Sequence, residues 1–406
     1  MLSVTCILNT YCHPLLIKSK LFGATLIVAG TSIGASMLAL PLVSSSLGIF
    51  SSTLLLLIIW WLGYYTSILA LKINLFYNNA FSISELCKKT FKLKIWIVAD
   101  LSIITLFYSL LAAYISGIVE ISLVRDLFPS SIAPLIGRLI VLILVLFVIY
   151  NFKLLDLSNR IIFFVKAGIF LFLLILLMPQ MKGTNIVNVD LIKDSNLCNA
   201  IPVFFTSFGF HGSIPFIMKY LDCDERQIKK AFLLGSLLGL IIYGLWIFSS
   251  VSVLPQYGDI SFESVKNGQN NLGAFITALS TLTGNKSLSL VMTVFSWLAI
   301  ITSFLGVGIG LYDYFLEKLQ LDGKPWFNKI KVGIITFAPP VAITIINKDI
   351  FVKALAFAAI SLSILAVVLP SLIALKINNV VNSKAIVILT LLMGIVVIAS
   401  EIFSCS

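Results

Sequence analysis

A succession of long, uninterrupted apolar runs constrains this chain more than any other feature. Eleven of them lie near residues 21–43, 51–72, 95–120, 133–150, 160–178, 198–219, 231–254, 287–312, 330–347, 350–373 and 384–402. A helix needs about 20 apolar residues to cross a bilayer. In hydrocarbon every backbone N–H and C=O must be satisfied inside the protein, so runs of this length fold as helices. A membrane barrel is excluded, because its strands are about 10 residues long and alternate in polarity. Composition agrees: 59% of the 406 residues are hydrophobic and 11% are charged, whereas a soluble domain carries about 25% charged residues. The short connections leave no room for a large extramembrane catalytic domain.

The net charge of +11 sits in short loops between the runs, not on one face of a soluble domain, which argues against a nucleic-acid partner. With the N-terminus inside, 19 of the 28 Lys and Arg fall in inner segments, 8 fall in outer ones, and Lys166 lies within a span. This asymmetry is the positive-inside pattern. It places the N-terminus inside and, after an odd number of spans, Cys405 and Ser406 outside. The run 21–43 exceeds the apolar core of a cleaved signal, which is about 7–15 residues. The inner segment 73–94 carries Phe81, Ile83, Leu86 and Phe91 among lysines, as a helix on the membrane surface does. On the outer side, Leu272–Leu279 is too short to span and is expected as a surface or re-entrant helix.

Several chemistries find no support. The six cysteines are scattered without a CxxC, and the two histidines, His13 and His211, form no metal motif. No GxxxxGK[ST] motif points to an ATP-driven pump. The expectation is a non-enzyme with no cofactor and no metal. No oligomeric state follows from the sequence.

The informative motifs interrupt two spans at matching places. The first span reads Gly30-Thr31-Ser32-Ile33-Gly34-Ala35-Ser36-Met37-Leu38-Ala39-Leu40-Pro41, and the sixth reads Thr206-Ser207-Phe208-Gly209-Phe210-His211-Gly212-Ser213-Ile214-Pro215. Glycine and small polar residues let a helix unwind, and unwound backbone at membrane depth is tolerated where it is buried or lines a cavity. Unwinding frees carbonyls at the end of one half-helix and amides at the start of the next, which attract a cation and an anion respectively. An amino acid zwitterion carries both charges, and secondary transporters place substrates at such breaks. The five-span separation predicts two inverted five-helix repeats. Gly30 and Gly34 also form a small-xxx-small pair that helix packing alone explains; recurrence in the second half favours the break. The expected organisation is a tail at 1–20, a first repeat at 21–178, an external loop at 179–197, a second repeat at 198–373, and an eleventh helix with a short C-terminus at 374–406.

These two motifs, together with Thr302-Ser303-Phe304-Leu305-Gly306-Val307-Gly308-Ile309-Gly310-Leu311-Tyr312-Asp313 in the eighth span, resemble signatures of the hydroxy and aromatic amino acid permeases. The resemblance runs over about residues 18–400, and Ser36 stands where the pattern has a further glycine. It implies an all-α integral membrane protein of the leucine-transporter fold, with broken spans 1 and 6, in a bacterial-type inner membrane. It further implies proton-coupled import of tyrosine, tryptophan or phenylalanine, tyrosine being favoured. The alternatives are a sodium-coupled or uncoupled carrier of another neutral amino acid, a channel, or a membrane enzyme.

On this reading the backbone of Gly30, Thr31, Ser32, Ile33, Gly34 and Ala35 holds the substrate carboxylate, and the carbonyl end at Ser207 and Phe208 holds the ammonium. Gly209, Phe210 and His211 complete the second break. Tyr108 and Trp297, on the third and eighth spans, are candidate walls for an aromatic ring beside Phe208 and Phe210. His211 is an ionisable group within the membrane, where such groups mark function; a neutral imidazole bonded to backbone carbonyls is the alternative. Lys166 lies about 10 Å into the fifth span. Some proton-coupled members of the superfamily put a lysine of this span where sodium-coupled relatives bind sodium, with Thr302 and Ser303 lining the same place. A lysine snorkelling to the interface is the competing explanation. Asp100 and Glu120 are expected to meet headgroup water or a basic partner, and Asp313 to gate, cap or stay solvated.

Overall fold

The computed structural model describes residues 14–92, 94–124, 132–150, 155–187, 194–267, 272–284, 286–319, 325–347, 349–377, 380 and 383–404. His13 and most of the expected tail, residues 188–193 of the expected external loop, and Cys405 and Ser406 lie outside the described residues.

Each apolar run is a helix. The first is two pieces: α1 (Pro14–Ser32) ends, and the chain resumes as a 3₁₀ turn, Ala35–Ala39, and α2 (Leu40–Ser44), bent by 45°. There follow α3 (Gly48–Phe76), α4 (Ile83–Thr90), α5 (Ile95–Ser122), α6 (Ala133–Tyr150) and α7 (Leu155–Leu177). After a short α8 (Gly183–Val187), the sixth run is α9 (Asp194–Ser207), a 3₁₀ turn His211–Ser213, and α10 (Ile214–Tyr220). Then come α11 (Glu225–Val253), α12 (Phe262–Asn267), α13 (Leu272–Thr283), α14 (Lys286–Leu319) and α15 (Pro325–Ile346). The tenth run is α16 (Phe351–Ser363), a π turn Ile364–Val368, and α17 (Leu369–Lys376); α18 (Lys384–Ser404) is last. Among the described residues, eight helical stretches, the sixth run counted as one, are long and apolar enough to cross a bilayer, and the bent α1–α2 pair makes a ninth. α6 and α7 hold the fourth and fifth places, where the described apolar stretches Ala133–Ile149 and Phe164–Gln180 are shorter. The large apolar side chains left exposed, such as Leu101, Ile143, Phe172 and Leu392, form the surface that hydrocarbon covers.

Proline marks where both broken runs resume. Pro41 and Pro215 sit in the first turns of α2 and α10, where a missing N–H costs nothing and the fixed φ suits a helix. Pro339 and Pro340 lie inside α15, which runs on through them.

The helices form one body with the breaks at its centre. α5 packs against α16, α14 and α6, while α1 packs against α11, and α11 against α3. The α1–α11 contact depends on Gly235: a Cβ there would lie 2.5 Å from Val28 Cβ, which no real Cβ tolerates. Small residues permit this approach between membrane helices.

Lysine-bearing helix ends gather on one face. Lys318 on α14 pairs with Asp100 on α5 at 2.8 Å, and Lys20 on α1 pairs with Asp222 beyond α10 at 2.7 Å. The amphipathic α4 caps this face. Ser82 and Glu85 close its first turn as a capping box; Leu86 and Cys87 are buried against the protein, and Lys88 lies over the Trp96 ring. At the opposite face α13 buries Leu272, Phe275, Ile276 and Leu279.

Candidate functional site

α1 stops where its hydrogen-bond ladder gives out. Ile33 N still bonds Ala29 O at 2.7 Å, but Gly34 N turns back to Ser32 O at 2.8 Å. The last carbonyls of a helix have no partner in it, and here side chains from other helices supply partners. The Tyr243 hydroxyl on α11 lies 2.5 Å from Ser32 O and 2.7 Å from Ser207 O, the last residue of α9. One phenol thereby joins the two breaks. Lys166 on α7 donates to Ile33 O at 3.4 Å and to Thr302 Oγ1 on α14 at 3.2 Å. Lys166 is 7% exposed, and among the described residues no carboxylate pairs with it.

The amide side of the first break faces α14. Ala35 N donates to Ser303 Oγ at 3.0 Å, and Ser303 Oγ donates to Ala299 O at 2.9 Å. The Tyr114 hydroxyl, buried on α5, shares a hydrogen bond with Ser303. Gly34 makes this possible: a Cβ on it would lie 2.7 Å from Ser303 Oγ. Its φ of −119° suits any residue, so the requirement for glycine is one of space.

The predicted residues divide. Ser32, Ile33, Gly34, Ala35, Ser207, Phe208, Lys166, Thr302 and Ser303 come together around the two breaks. Phe208 is 2% exposed and packs edge-on against Tyr243, with ring centres 5.2 Å apart. Gly30 and Thr31 lie in the last turn of α1, with Thr31 bonded to its own helix at Ile27 O, 2.8 Å. Gly209 has Leu362 of α16 and Thr206 O beside it. Phe210 turns into a second cluster, stacked on His211 and tilted against Phe232. His211 Nε2 meets Thr66 Oγ1 on α3 at 2.7 Å. Thr66 Oγ1 also lies 2.9 Å from Leu62 O, so which of the two groups donates depends on the imidazole tautomer, and Nδ1 is buried with no partner among the described groups. Tyr108 is turned toward α15, donating to Ile335 O at 2.8 Å, and Trp297 is half-buried against the main core.

The three acidic residues have separate surroundings. Asp100 belongs to the Lys318 pair. Asp313 is exposed and makes no ion pair among the described residues. Glu120 is 1% exposed and holds two helix starts: it accepts from Leu272 N of α13 at 2.9 Å, Phe351 N of α16 at 3.3 Å and Ser116 Oγ at 2.7 Å.

Tyr114 and Tyr243 are the polar groups that sequence reasoning missed. One signal was available for Tyr243: Gly235, Gly239 and Tyr243 recur every four residues and so share a helix face. Gly235 meets Val28 and Gly239 meets Ser32, so this stripe runs along α1 and ends at the break. Beside Ile33 and Lys166 opens a small apolar hollow of ≈ 20 Å³, walled by Phe170 and Phe295. Trp246 packs against both walls, and its buried Nε1 has no partner among the described residues.

This arrangement sets spanning helices around two unwound segments whose backbone is served by side chains, the architecture of a multi-pass membrane protein. A solved manganese transporter from Eremococcus coleocola shares the fold, with a TM-score of 0.62 at 14% identity over 97% of this chain and 87% of that one. The tryptophan/tyrosine permease family matches residues 17–403, and the chain belongs to it. It is 35% identical to the tyrosine-specific transport system 1 of Haemophilus influenzae, over 87% of each chain. It is 30% identical to a tryptophan-specific transport protein of Pseudomonas aeruginosa, over 88% of this chain and 86% of that one.

Proposed function

We propose that this protein imports an aromatic amino acid, tyrosine in preference, together with a proton, across a bacterial cytoplasmic membrane in which its N-terminus lies inside. The observation that carries the coupling is Lys166, a buried ammonium on Ile33 O and Thr302 Oγ1. Oxygens at the end of a broken helix are where a mobile cation binds. Here a protein-borne charge occupies the place, so gain or loss of a proton at Nζ changes the charge at the break by one unit. Tyr243 likewise occupies the second convergence of carbonyls, Ser32 O and Ser207 O. His211, whose ring meets Thr66 and whose buried Nδ1 has no partner among the described residues, is the other candidate proton carrier.

In this reading the substrate carboxylate takes the amides at Gly34 and Ala35, now served in part by Ser303, and the ammonium takes Ser32 O and Ser207 O. Phe208 lies against the ring, and the small hollow between Phe170 and Phe295 beside Ile33 widens to admit it. The bundle of α1, α2, α3, α9, α10 and α11 rocks against the remaining helices to alternate access.

Substrate range is tested with purified protein in liposomes, by labelled tyrosine uptake against excess unlabelled tryptophan, phenylalanine and alanine. Strong competition by the aromatic amino acids and none by alanine is expected. Equal competition by alanine, or no tyrosine uptake by folded protein, overturns the aromatic assignment.

A further inference from the structure

Six lysines without an anionic partner meet on one rim of the lysine-bearing face. Lys88 and Lys89 close α4, Lys92 and Lys94 follow it, Lys376 ends α17 and Lys384 opens α18. All six are exposed, and among the described residues none makes an ion pair. Of the acids on these helices, Glu85 is engaged in its own cap, accepting from Ser82 N at 2.8 Å, and Asp100 pairs with Lys318; Glu120 and Glu401 lie at the far ends of α5 and α18. One apolar cluster gathers the rim: Leu86 and Cys87 of α4, Ala99 of α5, Ile373 of α17 and Val387 of α18. Aromatic faces fix three of the ammonium groups. Lys88 Nζ lies 4.7 Å from the centre of the Trp96 ring, Lys89 Nζ 4.5 Å from Phe81, and Lys376 Nζ 4.6 Å from Phe91. A ring attracts an ammonium but does not neutralise it, so the positive charge is still there to be met. α5 opens at this rim with no side-chain cap and no acid in its first turn, and the free N–H groups of a helix start add to the positive field. Directly after Trp96, α5 exposes Ile97, Val98 and Leu101, and α17 exposes Leu372, apolar surface that suits acyl chains.

We infer that this rim is a binding site for an anionic glycerophospholipid. Lys88, Lys89 and Lys376 meet the phosphate, Lys92, Lys94 and Lys384 supply the surrounding positive field, and the acyl chains lie along Ile97, Val98 and Leu101. Charge complementarity selects the occupant: clustered lysines at a membrane surface attract anionic headgroups, whereas a zwitterionic lipid brings its own ammonium and gains less. The apolar chain wall beside the lysines selects a lipid over a free phosphate ion. The site is made by the packing of α4 against α5 and α17, so equal positive charge elsewhere on the face does not replace it. It stands independently of the substrate assigned to the two breaks.

The test is native mass spectrometry of the full-length protein in detergent, titrated with phosphatidylglycerol and, separately, with phosphatidylcholine of the same acyl chains. Wild type is expected to hold one phosphatidylglycerol about tenfold or more tightly than phosphatidylcholine. Each lysine beside an anionic lipid contributes about fivefold, so Lys88→Gln/Lys376→Gln should lose about tenfold or more in affinity for phosphatidylglycerol. Lys329→Gln/Lys331→Gln removes the same charge from exposed lysines at the start of α15 and should change that affinity by less than about threefold. Equal binding of the two lipids by wild type overturns the inference. So do equal losses in the two double variants, which would show a diffuse field and no site. Displacement of the lipid by millimolar inorganic phosphate also overturns it, because the rim would then take the free ion. Should Lys88→Gln/Lys376→Gln not fold, the comparison of the two lipids on wild type still decides.

Discussion

Replacing Gly34 by alanine tests how the first break is held against α14. The backbone there has φ −119° and ψ −156°, so alanine meets no conformational barrier. The obstacle is Ser303 Oγ, 2.7 Å from where the new Cβ would sit, while Ser303 Cβ is a comfortable 3.9 Å away. Overpacking of this kind costs about 1–3 kcal/mol. If Ser303 turns aside, the 3.0 Å bond from Ala35 N goes as well, and an unsatisfied buried N–H costs about 1–3 kcal/mol. Ser303→Ala alone incurs that second cost and also removes the partner of the buried Tyr114 hydroxyl, but no steric one. In the double variant the obstructing oxygen is gone, so Gly34→Ala should add little to Ser303→Ala. The cycle is therefore predicted to show a coupling of about 1–3 kcal/mol, with the double variant far better than the sum of the singles. Unfolding in mixed micelles, followed by tryptophan fluorescence, measures it, and tyrosine uptake provides the functional parallel. Additivity within about 0.5 kcal/mol, or a silent Gly34→Ala, would refute the steric account of this glycine.

Other perturbations read other parts of the structure. Glu120→Ala should destabilise by roughly 2–6 kcal/mol, from two backbone N–H groups at the starts of α13 and α16 at about 1–3 kcal/mol each; Glu120→Gln, which keeps one acceptor, should lose clearly less, as melting temperatures in detergent would report. Thr66→Val removes the partner of His211 Nε2 and should impair uptake much as His211→Leu does, with the double variant no worse than either single; additive losses would show that the two act separately. Cys87 is buried and, beside Asp100, its thiol is pushed up to about 11, so it stays protonated until the pH nears that value and should resist maleimide at pH 7–8. Exposed Cys223, at the same lysine-rich face, should react in a single-cysteine variant. An impermeant maleimide that labels Cys223 only from inside supports the N-terminus-in orientation, and labelling from outside reverses it.

The helix order was legible because a long apolar run folds as helix: among the described residues all eleven runs are helical, the first, sixth and tenth of them interrupted, and up to nine are long enough to cross a bilayer. The breaks were legible because glycine, hydroxyl residues and a following proline coincide at the local level in both. Lys166 and Thr302 were paired in advance through the family resemblance, and they lie 3.2 Å apart. Long-range partners were not legible. Glu120 serves residues 152 and 231 positions away, and nothing near Glu120 encodes them. Tyr114 and Tyr243 sit in unbroken helices among many aromatic residues, where composition gives no reason to prefer them. Tyr108 was a wall candidate by its span alone, but helix rotation decides which face meets the break, and its hydroxyl points to α15. The π turn at 364–368 also left no local signature; there α18 packs closely, with Ser363 Oγ bonded to Gly394 O at 2.8 Å.

Proton coupling through Lys166 is tested most directly by proton flux. Protein in sodium-free liposomes holding a pH-sensitive dye is given external tyrosine, for wild type and Lys166→Met, with exchange of internal for external tyrosine measured in parallel. Wild type should acidify the lumen as tyrosine enters, and a protonophore should abolish accumulation. Lys166→Met should keep exchange while losing acidification and accumulation. A sodium requirement in wild type, or undiminished tyrosine-driven acidification in Lys166→Met, would contradict the role assigned to this lysine.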